Sequence, residues 1–161
     1  DVNARNSNGL TSLQVAAANS HARCVQLLLE GGANTSIATN DGRIPLHFAC
    51  NSAECTALLI TAHPAGVKAA YEDGETPLHT AARFGTADVC RLLLDAGSDV
   101  NIVDNDGFTP LYWALCERKR DNAEVLLDHG ARLERVKLDF GLKTIPDWAV
   151  SFVARRNACR S

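Results

Sequence analysis

The chain of 161 residues contains no apolar run near the ~20 residues that a membrane-crossing helix needs. No charged-then-apolar leader opens it, so nothing in the sequence marks it for secretion. Six cysteines are present (Cys24, Cys50, Cys55, Cys90, Cys116 and Cys159), but no CxxC pair. They fall mostly inside apolar stretches with helical patterning, where a free thiol behaves as a small hydrophobe. Reduced thiols and a cytoplasmic or nuclear setting are therefore expected. Cys50 and Cys55 are five apart, which is not zinc-ligand spacing, and no histidine pair completes a set. There is no phosphate-cradling glycine loop and no nucleophile elbow, so no cofactor is expected.

What is present is ordinary for a globular chain: 46% hydrophobic and 22% charged residues. The net charge of −3 is unevenly spread. Residues 1–130 hold nine Lys/Arg against sixteen Asp/Glu, a balance of −7, while residues 131–161 hold seven against three, a balance of +4. The acidic bias argues against nucleic acid as the main partner. The basic C-terminal region, with Arg118, Lys119, Arg120, Arg132, Arg135, Lys137 and Lys143, leaves room for an acidic partner or a membrane surface at that end.

The chain repeats itself. Asn8-Gly9-Leu10-Thr11-Ser12-Leu13, Asp41-Gly42-Arg43-Ile44-Pro45-Leu46-His47, Asp73-Gly74-Glu75-Thr76-Pro77-Leu78-His79 and Asp106-Gly107-Phe108-Thr109-Pro110-Leu111-Tyr112 align, with their glycines 33, 32 and 33 residues apart. Each is followed by an apolar cluster: Leu27-Leu28-Leu29, Leu58-Leu59-Ile60, Leu92-Leu93-Leu94 and Val125-Leu126-Leu127. Gly32, Gly97 and Gly130 then close three of the four units. Asp-Gly favours a tight turn, since glycine reaches positive φ without steric cost. Thr76 or Thr109 can cap a helix, and the proline after it suits the first helical position. Small residues such as Ala16-Ala17-Ala18 and Ala81-Ala82 allow close helix approach, and a second helix then stops at glycine. Such a unit cannot bury its apolar face alone, so neighbours must stack.

This pattern strongly resembles the ankyrin repeat, over about residues 1–134, and the third unit is nearly the family consensus. The resemblance implies an all-α solenoid of four helix-turn-helix repeats with β-hairpin-like loops. The expected units are 6–38, 39–70, 71–103 and 104–136, with 1–5 matching the tail of a preceding repeat. That match suggests further repeats upstream and an apolar flank on the first unit. The second unit is irregular: it is short near Asn51-Ser52 and has His63-Pro64 where Gly97-Ser98 stands in the third. After residue 136, Ile145, Trp148, Ala149, Phe152 and Val153 recur at helical spacing. They suggest a capping amphipathic helix over 137–161, or, since Gly141 falls 34 residues after Gly107, a degenerate fifth repeat.

Candidate chemistry dissolves into structure. His47 and His79 take the family's Thr-Pro-Leu-His position, where the resemblance implies an internal hydrogen-bonding role; Gln14 and Tyr112 replace them elsewhere. Cys24 and Cys55 share a register with Val89, which points to the core. Trp113 also takes a packing position. The acidic turn Glu72-Asp73-Glu75 could imitate paired carboxylates, but solvent at an exposed tip defeats the pKa tuning that catalysis requires. The chain is read as non-catalytic.

The resemblance instead implies binding of a protein or peptide along the concave face formed by hairpin tips and first helices, with no small-molecule substrate, by a monomer. Positions expected there are Arg43, Asn51, Glu72, Asp73, Glu75, Arg83, Phe84, Asn105, Asp106, Phe108, Cys116 and Glu117. Phe84 and Phe108 are expected to be exposed aromatics, of the kind enriched at binding hot spots. Alternatives are the substrate-recognition part of a larger enzyme or ubiquitin-ligase adaptor, and a spacer without a specific partner. Leu93, Asp99, Val100 and Asn101 resemble sites used by an asparaginyl hydroxylase on ankyrin repeats, although Asn101 has an alternative role as a loop brace.

Overall fold

The computed structural model describes residues 1–137 and 142–158; Gly141 and Cys159 lie outside the described residues. The regular elements are helices: α1 (Ser12–Ala18), α2 (Ala22–Glu30), α3 (Pro45–Phe48), α4 (Ala53–Ala62), α5 (Pro77–Phe84), α6 (Ala87–Asp95), α7 (Pro110–Cys116), α8 (Arg120–Asp128) and α9 (Asp147–Ala158). The local signals behave as their chemistry dictates. The Thr11 and Thr109 hydroxyls accept from the backbone of Gln14 and Tyr112, and Pro45, Pro77 and Pro110 open their helices.

The helices form two layers. α1, α3, α5 and α7 pack in succession, and α2, α4, α6 and α8 do the same behind them. Leu13, Leu46, Leu78 and Leu111, at one register position of each repeat, run through the core between the layers. α9 lies on α8, and the Arg120 guanidinium sits 5.0 Å over the Trp148 ring.

The irregular second repeat has a definite geometry. Its first helix is four residues long, and Pro64–Lys68 forms a 3-10 turn that buries Gly66 and Val67. The shortened interhelical loop brings the Cys50 carbonyl up to the third repeat, where it accepts from the Thr86 N–H at 3.3 Å. A β-carbon at Gly85 would lie 2.3 Å from that carbonyl oxygen, so only glycine fits there.

Register alone does not decide burial. Cys55 and Val89 are buried as expected, but Cys24, in the same register, is exposed. Among the described residues, no helix pair packs against that side of α1 and α2. Val15 and Leu27 are also about half exposed there, beside a cleft of about 760 Å³ that Leu10 and Cys24 help line. Cys50 and Cys90 are buried, and burial raises both thiol pKa values, Cys90 to about 12. Neither is poised as a nucleophile.

The first and third repeats are locked to the next at their first-helix starts, whereas the buried His47 Nε2 of the second makes no such bond. His79 Nδ1 accepts from the Thr76 N–H at 3.1 Å, which leaves Nε2 to donate to the Phe108 carbonyl of the next repeat at 3.1 Å. Gln14 does the same without a titratable group: Oε1 accepts from the Thr11 N–H, and Nε2 donates to the Ile37 and Arg43 carbonyls, both at 3.0 Å. Burial lowers the pKa of His47 to about 4 and also lowers that of His79. Because the folded pKa values lie below the unfolded value near 6.5, the stability these neutral rings contribute is complete above pH ~6.5 and declines as pH falls toward 4. Urea titrations should show a loss on the order of 1–3 kcal/mol between pH 7 and 5, and a shallower loss in His47→Gln. A flat profile over that window would contradict the assignment.

Candidate functional site

The hairpin tips are joined in series. The Asn40 N–H donates to the Asn8 carbonyl at 3.4 Å, the Glu72 N–H to Asp41 at 3.3 Å and the Asn105 N–H to Asp73 at 3.0 Å. Lys137 Nζ continues the series onto the Asp106 carbonyl at 2.8 Å. The Asn105 side chain adds a bond to the Glu72 carbonyl at 2.8 Å. Gly74, at φ +78°, permits this approach: a β-carbon there would meet the Asn105 side-chain oxygen at 2.5 Å. Asn105 therefore holds one tip to the next rather than presenting a free amide.

Arg83 organises the face. Its Nε lies 3.3 Å from Glu117 Oε1 and its NH1 3.7 Å from Glu75 Oε1. The same guanidinium lies 4.1 Å over the Trp113 ring and 4.7 Å over Phe84. The partly exposed Arg83–Glu117 pair is worth little, ~0–1 kcal/mol, and each cation–π contact ~0.5–1 kcal/mol, whereas the Glu75 carboxylate is buried. Together they hold two aromatic rings in one orientation. Towards the second repeat, Tyr71 donates to Glu75 Oε2 at 2.7 Å, and Arg43 lies 4.7 Å over the Tyr71 ring while pairing with Asp41 at 3.1 Å. Burial, and then the Glu75 carboxylate, push the Tyr71 phenol pKa up, so it stays a donor. The Thr39 hydroxyl, and then Arg43, hold Asp41 below the usual carboxylate range. Between the second and third repeats lies a cleft of about 440 Å³, lined in part by Phe48, Tyr71, Arg83 and Phe84.

The expected face residues divide into three groups. Phe84 is 50% exposed, as anticipated, and Glu72, Asp73, Asp106 and Glu117 also face solvent. Arg43, Arg83 and Cys116 are partly covered, and Asn51 is exposed in the turn after α3. Glu75 departs from the expectation: it is only 6% exposed, because Tyr71 and Arg83 close over it. Phe108 departs too. It stacks on Tyr112 at 4.1 Å and meets Trp113 edge-on at 5.4 Å, which makes it part support and part surface.

Trp113, read from its register as core, is partly exposed on this face, with Nε1 donating to Asp104 Oδ2 at 3.0 Å. Tyr71, Asp104, Trp113 and Lys137 are absent from the sequence-derived set. Tyr71 and Asp104 precede their turn glycines by three residues, a position the repeat alignment could have singled out.

Asn101 braces a loop across a repeat boundary. Its Nδ2 donates to the Gly130 carbonyl at 3.2 Å, and its Oδ1 accepts from the Arg132 N–H at 3.1 Å. Among the described residues no group of His, Cys, Asp or Glu could hold a metal ion, and no helix is long and apolar enough to cross a membrane.

A family model described as ankyrin repeats (three copies) matches residues 1–69 and 52–137. The chain belongs to the ankyrin repeat family. Human neurogenic locus notch homolog protein 1 is 38% identical over 126 residues, covering 76% of this chain and 5% of the relative. The Xenopus laevis protein of the same name is 36% identical over 125 residues, with the same coverage. The E3 ubiquitin-protein ligase KEG of Arabidopsis thaliana is 36% identical over 132 residues, covering 79% of this chain and 8% of the relative. The chain thus spans only a small fraction of each relative's length. Ankyrin repeats are non-catalytic units that mediate protein–protein interaction.

Within this ankyrin array, Phe84 and Phe108 should separate in urea unfolding. Phe84→Ala is expected to change stability by no more than ~0.5 kcal/mol, and Phe108→Ala to cost about 1–3 kcal/mol through its lost stacking. Equal effects would show that the two rings are not divided between surface and support.

Proposed function

We propose that this chain is a non-catalytic interaction module that binds a partner protein or peptide on its concave face, centred on the third and fourth repeats. The observation carrying this reading is the Arg83 cluster. It keeps Phe84 and Trp113 preorganised and partly exposed, which lowers the ordering cost of binding. Aromatic and Arg side chains of this kind dominate interface energetics. The module acts as a monomer in the cytoplasm or nucleus, a setting that suits reduced thiols; the five cysteines among the described residues are free. A second reading is that it selects substrates for a larger enzyme or ubiquitin-ligase assembly. Its similarity to a ubiquitin ligase over 8% of that relative's length favours this.

Affinity capture with mass spectrometry tests the face directly. Arg83→Ala/Phe84→Ala should lose specific partners or weaken them at least about tenfold, while Arg91→Ala on α6 should retain them. Undiminished capture by the double variant would refute the concave assignment.

Asn101 is also proposed as a substrate for asparaginyl hydroxylation. One added oxygen should raise the intact mass by about 16 Da and map to Asn101. No mass change after treatment with such a hydroxylase would rule it out.

A further inference from the structure

The geometry points to a basic peptide segment as the ligand of the concave face, with an aromatic or aliphatic side chain seated in the cleft between the second and third repeats. This rests on the proposed concave binding surface and specifies the chemistry of its partner. In the second and third repeats, the cations that would attract an acidic ligand are already engaged, and Lys137 beside the fourth tip is held on the Asp106 carbonyl. Arg83 is shared between Glu75 and Glu117, and Arg43 pairs with Asp41. The uncompensated charge at the third tip is negative: Glu72 and Asp73 are exposed, and among the described residues neither carboxylate takes part in a salt bridge; Asp106 on the next tip is exposed too, with Lys137 on its carbonyl.

These acids stand on successive hairpin tips joined by the Asn105-to-Asp73 bond, so their spacing is set by the rigid ladder and not by loop mobility. Asp73 also lines the cleft whose apolar surface comes from Phe48, Tyr71 and Phe84. At about 440 Å³, the cleft is large enough to receive one bulky side chain. Arg83 covers one side of the Phe84 ring, yet the residue stays half exposed, leaving ring surface for a Lys or Arg of the partner. Apolar seat and acidic rim thus lie side by side, which favours a cationic chain carrying one anchor.

The test uses the intact 161-residue chain and two short fluorescein-labelled peptides. One is Lys/Arg-rich around a Phe-Leu pair; the other carries Asp/Glu at every basic position. Fluorescence anisotropy should show binding of the basic peptide that weakens with salt. Glu72→Lys/Asp73→Lys and Phe84→Ala should each weaken it about tenfold, while Glu54→Lys/Asp88→Lys, on the second helices, should not. Equal or tighter binding of the acidic peptide overturns the inference, as does no binding of the basic peptide or indifference to the Glu72/Asp73 reversal. Amide chemical-shift mapping separates the two levels. An acidic peptide that shifts the amides of Phe84 and Trp113 leaves the concave surface standing and removes only the cationic assignment. Shifts confined to α2, α4, α6 and α8 remove both.

Discussion

The stack depends on hydrogen bonds that cross from one repeat to the next, at the start of the first helix in the first and third repeats. His79 satisfies its own turn through Nδ1 and the following repeat through Nε2, and Gln14 reproduces the arrangement with an amide. A repeat of two short helices cannot bury its apolar face alone. These crossing bonds tie one unit to the next, and the leucine row is buried between the layers. Asn122 extends the principle deeper into the stack, closing the carbonyls of Ala81, Ala82 and Gly85 from α8.

The same cross-repeat bonding shapes the proposed binding face. The tips are tied to one another by backbone bonds, so acids on them occupy set positions and not a mobile fringe. Arg83 belongs to α5, yet its four contacts draw on Glu75, Phe84, Trp113 and Glu117, from two repeats. Repeat identity therefore matters less than adjacency. A residue acquires its role from what the neighbouring unit places opposite it. Arg83 itself shows this, since Trp113 and Glu117 of the fourth repeat fix its guanidinium; Glu75, by contrast, is buried by Tyr71 and Arg83 of its own repeat.

Much of this was legible in the sequence. The period, the helix starts at Thr76-Pro77 and Thr109-Pro110, the glycine stops of three units and the leucine core follow from short-range chemistry that recurs along the chain. The exposure of Phe84 was legible as well. Glu75, Phe108, Trp113 and Cys24 were not, because each depends on a neighbour that a linear register does not weigh. Trp113 sits at a packing position, but Arg83 and Asp104 hold it at the surface. Cys24 shares the register of Val89, but among the described residues no helix pair covers it.

By itself, the sequence determined that this chain is a stack of ankyrin repeats with one irregular unit, because turn, cap and stop residues act within a few positions of themselves. Only the tertiary structure decided which aromatics form a surface, which acids are neutralised and which remain open. Those outcomes rest on distances between side chains from two to some thirty residues apart, and charge pairing and ring stacking fall away within a few ångströms.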